Sequence, residues 1–298
     1  MCFCKNRILA PRKISKMDKI PSVDLRDFLS DNPERKQKFV NEIGKAYEEI
    51  GFVALKGHFL DDKLVDDLYG EVKNFFELPT EKKLKYEIPG IGGQRGYVGF
   101  GKETAKGFKK GDLKEFWHFG QYVSDDSKYK SEYPDNVIVE ELPIFNEVGK
   151  ETYQMLEKTG KYVLRALALY LDLDEFYFDD KIAEGNSILR PIHYPPITEE
   201  PDDAVRAAAH GDINLITLLM GSQGKGLQVQ NHKGEWIDAI AEPDELMINV
   251  GDMLSRHTNN KLKSTIHRVV NPPRELWGTS RYSIPFFMHP VSEMPLNA

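Results

Sequence analysis

Residues 210–220 read HGDINLITLLM. A histidine and a carboxylate stand two residues apart, and an apolar run follows at once. On extended backbone, residues two apart point to the same face. His210 and Asp212 can therefore reach one ion, with only Gly211 between them. The run behind them, ITLLM at 216–220, reads as a buried strand. Around it lie further short β-rich runs: SILRPIHY (187–194), VRAAAH (205–210), GLQVQ (226–230), EWIDAI (235–240), LMINV (246–250), TIHRVV (265–270) and RYSIPFFM (281–288). Turn residues separate them. Short strands at this spacing predict a sandwich or barrel, and a double-sheet jelly roll is the eight-strand solution.

Upstream the texture changes. Residues 18 to about 180 read as mostly helical. KIPSVDL (19–25) is a short extended segment led by Pro21. Phe39, Val40, Ile43, Tyr47 and Ile50 then recur at helical spacing, Gly51 stops that helix, and Phe52-Val53-Ala54-Leu55 reads as a buried strand. Leu64, Val65, Leu68, Val72, Phe75 and Phe76 mark a second helix, ended by Pro79-Thr80. IPGIGGQRGYVGFGKE (88–103) reads as a loop whose glycines make turns; no strand–turn–helix context supports a dinucleotide site there. A long helix is predicted over residues 144–172, with Tyr153, Leu156, Tyr162, Val163, Leu167 and Leu171 facing inward.

The 298 residues are ample for a real core, and 40% hydrophobic with 29% charged residues defines a soluble globular chain. The net charge of −7 and pI near 5.7 disfavour nucleic acid, which needs a basic face. No apolar run is long enough to span a membrane. The only cysteines are Cys2 and Cys4. No disulfide can staple the body of the fold, and no cysteine nucleophile or thiolate zinc site can sit in the core. A reducing, cytoplasmic location is expected. The first sixteen residues are basic but lack the apolar centre of a signal peptide. They read as a disordered tail or a start placed too early, with Met17 the alternative beginning.

His267, in the strand-like TIHRVV, adds a second imidazole 55 residues beyond Asp212, room for several strands to leave and return. Two histidines and one carboxylate make a facial triad that suits Fe(II) and leaves coordination positions open. Taken singly, His-x-Asp arises by chance, and His267 could be a core histidine or a general base. The same set could hold zinc in a hydrolase. Arg281-Tyr282-Ser283, starting 14 residues after His267, bears on that choice. Arg281 and Ser283 share a strand face. The arginine fork matches a carboxylate through two parallel hydrogen bonds, and the serine adds a hydroxyl donor. Alone, Arg281 would read as half of a structural ion pair. One strand beyond the last candidate ligand, the two make a receptor for the far carboxylate of a dicarboxylate.

On these motifs the sequence resembles the isopenicillin N synthase-like family of Fe(II)- and 2-oxoglutarate-dependent oxygenases, over nearly its whole length. KIPSVDL and GFVALKGH (51–58) resemble the family's N-terminal region. HGDINLITLLM resembles its metal-ligand segment and GLQVQ the strand that follows. Residues 246–270 resemble the run up to the distal histidine, and RYSIPFF the co-substrate anchor. The resemblance implies His210, Asp212 and His267 as iron ligands, and Arg281 and Ser283 as the site for the distal carboxylate of 2-oxoglutarate. Tyr194, in HYPP, matches a tyrosine that adds a hydroxyl contact to that carboxylate. Many relatives carry Asn two positions before this tyrosine, where Ile192 stands here.

The implied fold is mainly β with flanking helices, an α+β arrangement. It has a double-stranded β-helix (jelly-roll) core, a long bracing helix and an N-terminal α/β region packed on it. The expected divisions are a tail at 1–17, the N-terminal region at 18–140, the bracing helix at 141–180, the oxygenase core at 181–290 and a short tail at 291–298. The implied reaction consumes O2 and 2-oxoglutarate, yields succinate and CO2, and oxidises a C–H bond of a small organic substrate, by default through hydroxylation. An oxidase of the same family that spares 2-oxoglutarate, and a non-catalytic ligand- or metal-binding module, are the alternatives. Arg95, Tyr97, Phe100, Trp117, His118 and Phe287 are the candidate pocket residues. No nucleic-acid or membrane partner is expected.

Overall fold

The structure is a computed structural model that describes residues 19–103, 111–200, 205–221 and 226–296. The expected tail at 1–17, with Met17, lies outside the described residues. The described residues form thirteen strands: β1 Ser22–Asp24, β2 Phe52–Lys56, β3 Gly96–Val98, β4 Glu115–Gly120, β5 Ile188–Leu189, β6 Ile192–Tyr194, β7 Ala207–His210, β8 Ile216–Met220, β9 Leu227–Gln230, β10 Trp236–Asp238, β11 Leu246–Val250, β12 His267–Val269 and β13 Arg281–Met288. They make two sheets. The larger runs β1-β2-β11-β8-β13-β5-β4-β3, with β6 bridging β13 and β4. The smaller runs β10-β9-β12-β7. This is the jelly roll expected from the strand spacing.

Local sequence sets the helices. The Pro33–Glu49 helix opens with the Asn32 side chain accepting from the backbone N–H of Glu34 and Arg35, and with Pro33 in its first turn. It ends before Gly51, whose φ of +74° suits glycine. Asp61 caps the Asp62–Phe76 helix in the same manner. The long helix spans Pro143–Tyr170, within two residues of the predicted span at each end. Leu156, Val163 and Leu167 are fully buried, while Tyr162 and Leu171 are half-buried at its flank. Gly160 lets it close on the large sheet: a Cβ there would lie 2.5 Å from the Met288 sulfur.

Two expectations change. Residues 88–103 are not all loop, because Gly96–Val98 pairs with β4. The β4 strand itself was not anticipated. Its sequence, EFWHFG, is buried on both faces, so it lacks the alternation of a half-buried strand. SILRPIHY divides into two strands at Arg190-Pro191, since proline supplies no N–H to the ladder. The N-terminal region supplies β1 and β2 at one edge of the large sheet and β3 and β4 at the other. Phe75, Trp117 and Phe145 interlock where the Asp62–Phe76 helix, β4 and the long helix meet, with ring centroids 4.9–5.4 Å apart.

Side-chain alternation on β13 tells which face looks where. Phe286 meets Tyr153 of the long helix at 5.0 Å, and Met288 meets Gly160. The opposite parity, Arg281, Ser283 and Phe287, therefore faces away from the helix, into the space between the sheets. By the same rule Thr217 and Leu219 of β8, and Met247 and Asn249 of β11, face inward.

Candidate active site

His210 and His267 are register partners across the antiparallel β7–β12 pair, and their rings lie 4.4 Å apart. Asp212 follows just past the end of β7. One of its oxygens, Oδ1, lies 3.8 Å from His210 Nε2 and 3.7 Å from His267 Nε2. The three candidate ligand atoms lie within 4.8 Å of one another, close enough for one ion to join them. Asp212 and His267 are buried, and His210 stands at the open edge with its side chain 41% exposed.

Each group is held so that its ligand atom is free. His210 Nδ1 lies 2.7 Å from the Ala208 carbonyl and His267 Nδ1 3.2 Å from that of Thr265. A carbonyl can only accept, so Nδ1 carries the hydrogen and each Nε2 keeps its lone pair for a metal. On Asp212, Oδ2 accepts from the Thr217 hydroxyl at 2.5 Å and the Asn249 amide at 2.8 Å. Thr217 and Asn249 are themselves cross-strand partners on β8 and β11. The carboxylate is thus divided, one oxygen bonded to the protein and the other aimed at the histidines. Burial pushes the Asp212 carboxyl up, but His267 and the bonds from Asn249 and Thr217 outweigh it and hold it below the usual carboxylate range. Desolvation by the surrounding protein, and then the neighbouring His267, keep the partly exposed His210 below the ordinary imidazole value. The edge of the Phe52 ring packs on His267 at 5.6 Å.

Along the same interior, Arg281 is 2% exposed and Ser283 5%. Arg281 stands opposite Tyr194 across the β13–β6 pair, its guanidinium 5.2 Å from the tyrosine ring centre. Arg281 Nε and Nη1 are buried with no hydrogen-bond partner, and no carboxylate pairs with it among the described residues. A buried cation left so is costly unless a ligand completes it. Its fork, with the Ser283 hydroxyl alongside, fits an incoming carboxylate.

The candidate pocket residues divide by strand parity. On β4, Trp117 faces the aromatic core and is fully buried there. His118 faces a cavity of about 440 Å³ that is also lined by Glu103, Phe116 and Arg190. The Arg190 guanidinium lies 4.5 Å from the Phe116 ring centre and 5.1 Å from that of Phe287. Its Nε donates to His118 Nε2 at 2.6 Å, and His118 Nδ1 meets the Gly93 carbonyl at 2.6 Å. Burial and the adjacent Arg190 charge keep His118 far below the ordinary imidazole value, so it is a neutral brace. Burial raises the Glu103 carboxyl, but Arg190, Lys114 and His210 together outweigh it and draw it down. Arg95 is wholly buried, bonded to the Gln94 carbonyl and Asn186 and packed on Gly120, away from this cavity. Tyr97 also lines this cavity, packing near Phe75 with its hydroxyl on Glu115. Phe100 is 54% exposed.

Sequence reading missed Thr217, Asn249, Arg190 and Glu103. The first two carried a signal: each is a polar residue inside an apolar strand, at the parity that faces Asp212.

Comparisons with known proteins establish the family. The 2OG-Fe(II) oxygenase superfamily profile matches residues 185–290, and that of the N-terminal region of non-haem dioxygenases in morphine synthesis matches residues 20–141. The chain is 32% identical to the 2-oxoglutarate-dependent dioxygenase frbA of Dothideomycetidae sp., over 93% of this chain and 89% of that one. Among solved structures, it is similar to a 2OG-Fe(II) oxygenase family protein of Caulobacter crescentus, with 43% identity, TM-score 0.83 and coverage of 92% and 87% of the two chains. It is also similar to a Neurospora crassa protein solved in complex with alpha-KG and thymine, with 29% identity, TM-score 0.79 and coverage of 93% and 88%. The chain belongs to the non-haem Fe(II)- and 2-oxoglutarate-dependent dioxygenases. Its cofactor is Fe(II), and its co-substrates are 2-oxoglutarate and O2. This favours the dioxygenase reading over the oxidase and the non-catalytic module. No helix among the described residues is long and apolar enough to cross a membrane.

Proposed function

We propose that His210 Nε2, Asp212 Oδ1 and His267 Nε2 hold the iron, and that Arg281 and Ser283, with Tyr194 beside them, take the distal carboxylate of 2-oxoglutarate. The observation that carries this reading is the pairing, within one interior, of three convergent metal-ligand atoms with a buried guanidinium that has no counter-ion among the described residues. The reaction is hydroxylation of an unactivated C–H bond. O2 supplies one oxygen atom to the substrate carbon and one to the succinate formed as 2-oxoglutarate loses CO2. Bound Fe(II) supplies the oxidising chemistry; the chain supplies position and a dry site. Asn249 and Thr217 fix Asp212. Phe52 covers one side of His267.

The prime substrate is a small organic molecule, entering through the cavity of Glu103, Phe116, His118 and Arg190. The Arg190 cation, the Glu103 carboxylate and the two aromatic faces suit a compact polar substrate that both accepts and donates hydrogen bonds. The relative from Neurospora crassa, solved with thymine, fits this class. A cytoplasmic site of action accords with a chain that has no cysteine beyond Cys4.

The test is an anaerobic titration of the Fe(II)-loaded protein with 2-oxoglutarate, following the visible charge-transfer band of a chelated keto acid. The band is expected in the wild type, absent in Asp212→Ala and shifted to higher 2-oxoglutarate concentration in Arg281→Ala. Iron binding without a band would remove the co-substrate assignment. Unchanged iron binding in Asp212→Ala would remove the metal assignment.

A further inference from the structure

Arg206 immediately precedes β7, on the same parity as Ala208 and His210. It is 4% exposed, buried as deeply as a core residue. Its backbone N–H donates to Asn271 Oδ1 at 3.0 Å, and its Nη2 donates to the Thr279 carbonyl at 3.3 Å. Its Nε is buried with no hydrogen-bond partner among the described residues. The guanidinium lies 5.8 Å from the centre of the Tyr194 ring, the ring on which Arg281 also lies. Burial first, and the neighbouring Arg281 charge second, draw the Arg206 pKa down. Neither arginine has a carboxylate partner among the described residues. Two like charges buried at one ring, with three orphaned N–H nitrogens shared by the pair, are short of an anion among the described residues.

We propose that Arg206 is a second cation of the 2-oxoglutarate receptor, so that the distal carboxylate is held between Arg206 and Arg281. The inference rests on the assignment of Arg281 to that carboxylate. Arg206 acts as a binding residue: it has no part in the oxidation and sets the selectivity for a keto acid that bears a second carboxylate. One guanidinium satisfies two carboxylate lone pairs and the second the outer ones, while the negative charge of the carboxylate offsets the repulsion between the two cations.

The experiment uses the full chain loaded with Mn(II), which holds the keto acid without turnover. Calorimetry measures the affinity of wild type, Arg206→Gln, Arg206→Lys and Arg281→Gln for 2-oxoglutarate and for 2-oxopentanoate, which lacks the distal carboxylate. Losing a charged hydrogen-bond donor should weaken 2-oxoglutarate by roughly 10- to 100-fold in Arg206→Gln. Binding of 2-oxopentanoate should stay within about twofold of wild type, since it never reaches Arg206. Arg206→Lys keeps the charge without the fork and should fall between, and it carries the comparison if Arg206→Gln is unstable. Equal loss of both ligands, or no loss of either, overturns the inference and leaves Arg206 as a tie to the Thr279 turn. Wild type that binds both ligands equally, with Arg281→Gln unchanged, overturns the underlying assignment instead.

Discussion

Asp212, a proposed iron ligand, illustrates how much of a metal site lies in residues that would never touch the metal. Its Oδ2 is held by Thr217 and Asn249, and only Oδ1 turns to the histidines. Thr217→Val and Asn249→Leu remove those donors while preserving shape. Each should weaken Mn(II) affinity by about 10- to 100-fold, the usual effect of losing a partner that orients a ligand. Unfolding monitored in parallel should show a native fold. Glu115 makes a different prediction. Burial raises its carboxyl, but the bonds from His193, Lys83 and Tyr97 outweigh that and hold it below the usual range. A carboxyl depressed in the folded state contributes stability above its unfolded value, about pH 4.3, and that stability is lost as pH falls through the lower folded value. Glu115→Gln should therefore cost about 3 kcal/mol at neutral pH, as for other broken buried pairs. The gap to wild type should narrow in denaturant titrations run toward about pH 3, below the unfolded value. A constant gap would mean that the charge of Glu115 contributes nothing.

The elements meet where small residues permit it. Gly149 of the long helix has the Phe119 ring of β4 against it; a Cβ there would lie 2.3 Å from a ring carbon. Phe119 cannot retreat, because Phe145 and Trp117 pack on it at 5.0 and 5.8 Å. Alanine in a helix is ordinarily worth about 1 kcal/mol over glycine. Here overpacking of about 1–3 kcal/mol opposes that gain. Gly149→Ala should leave stability unchanged or lower it by up to about 2 kcal/mol, read from the denaturation midpoint at constant m-value. A gain of about 1 kcal/mol, the full helix preference, would show that the helix and sheet are not in close contact at this point. The same scale explains where sequence reading stopped. The Pro143–Tyr170 helix was legible because its buried stripe is long and amphipathic. Strand β4 was not, because both of its faces are covered and no alternation survives.

For the whole molecule, metal and 2-oxoglutarate bind the folded chain and have no site in the unfolded one. A ligand at about one hundred times its dissociation constant adds about 2.7 kcal/mol. For a domain of this size that raises the melting temperature by about 5 °C. Mn(II) and 2-oxoglutarate together should exceed the effect of either alone if, as proposed, the keto acid bridges the metal and the buried Arg281. Chelation by EDTA should remove both shifts, and Asp212→Ala should show neither. Additive shifts that persist in Asp212→Ala would place the keto acid somewhere other than the metal.

Several features of this protein were determined by its sequence alone. The strand spacing defined a jelly roll. The order His210-x-Asp212, His267, Arg281-x-Ser283 defined the candidate metal and carboxylate sites; Arg281 and Ser283 share a face of β13, whereas Asp212 lies just past the end of β7. Tertiary structure decided the pocket. Of the six pocket candidates, Tyr97 and His118 line the cavity and Phe287 lies under Arg190; Trp117 turned to the core by one step of parity, and Arg95 lies beside Gly120. Arg190, Glu103 and Arg206 entered the interior from loops and strand ends. No periodicity marks such positions, and only the packing of two sheets around one cavity brings their charges together.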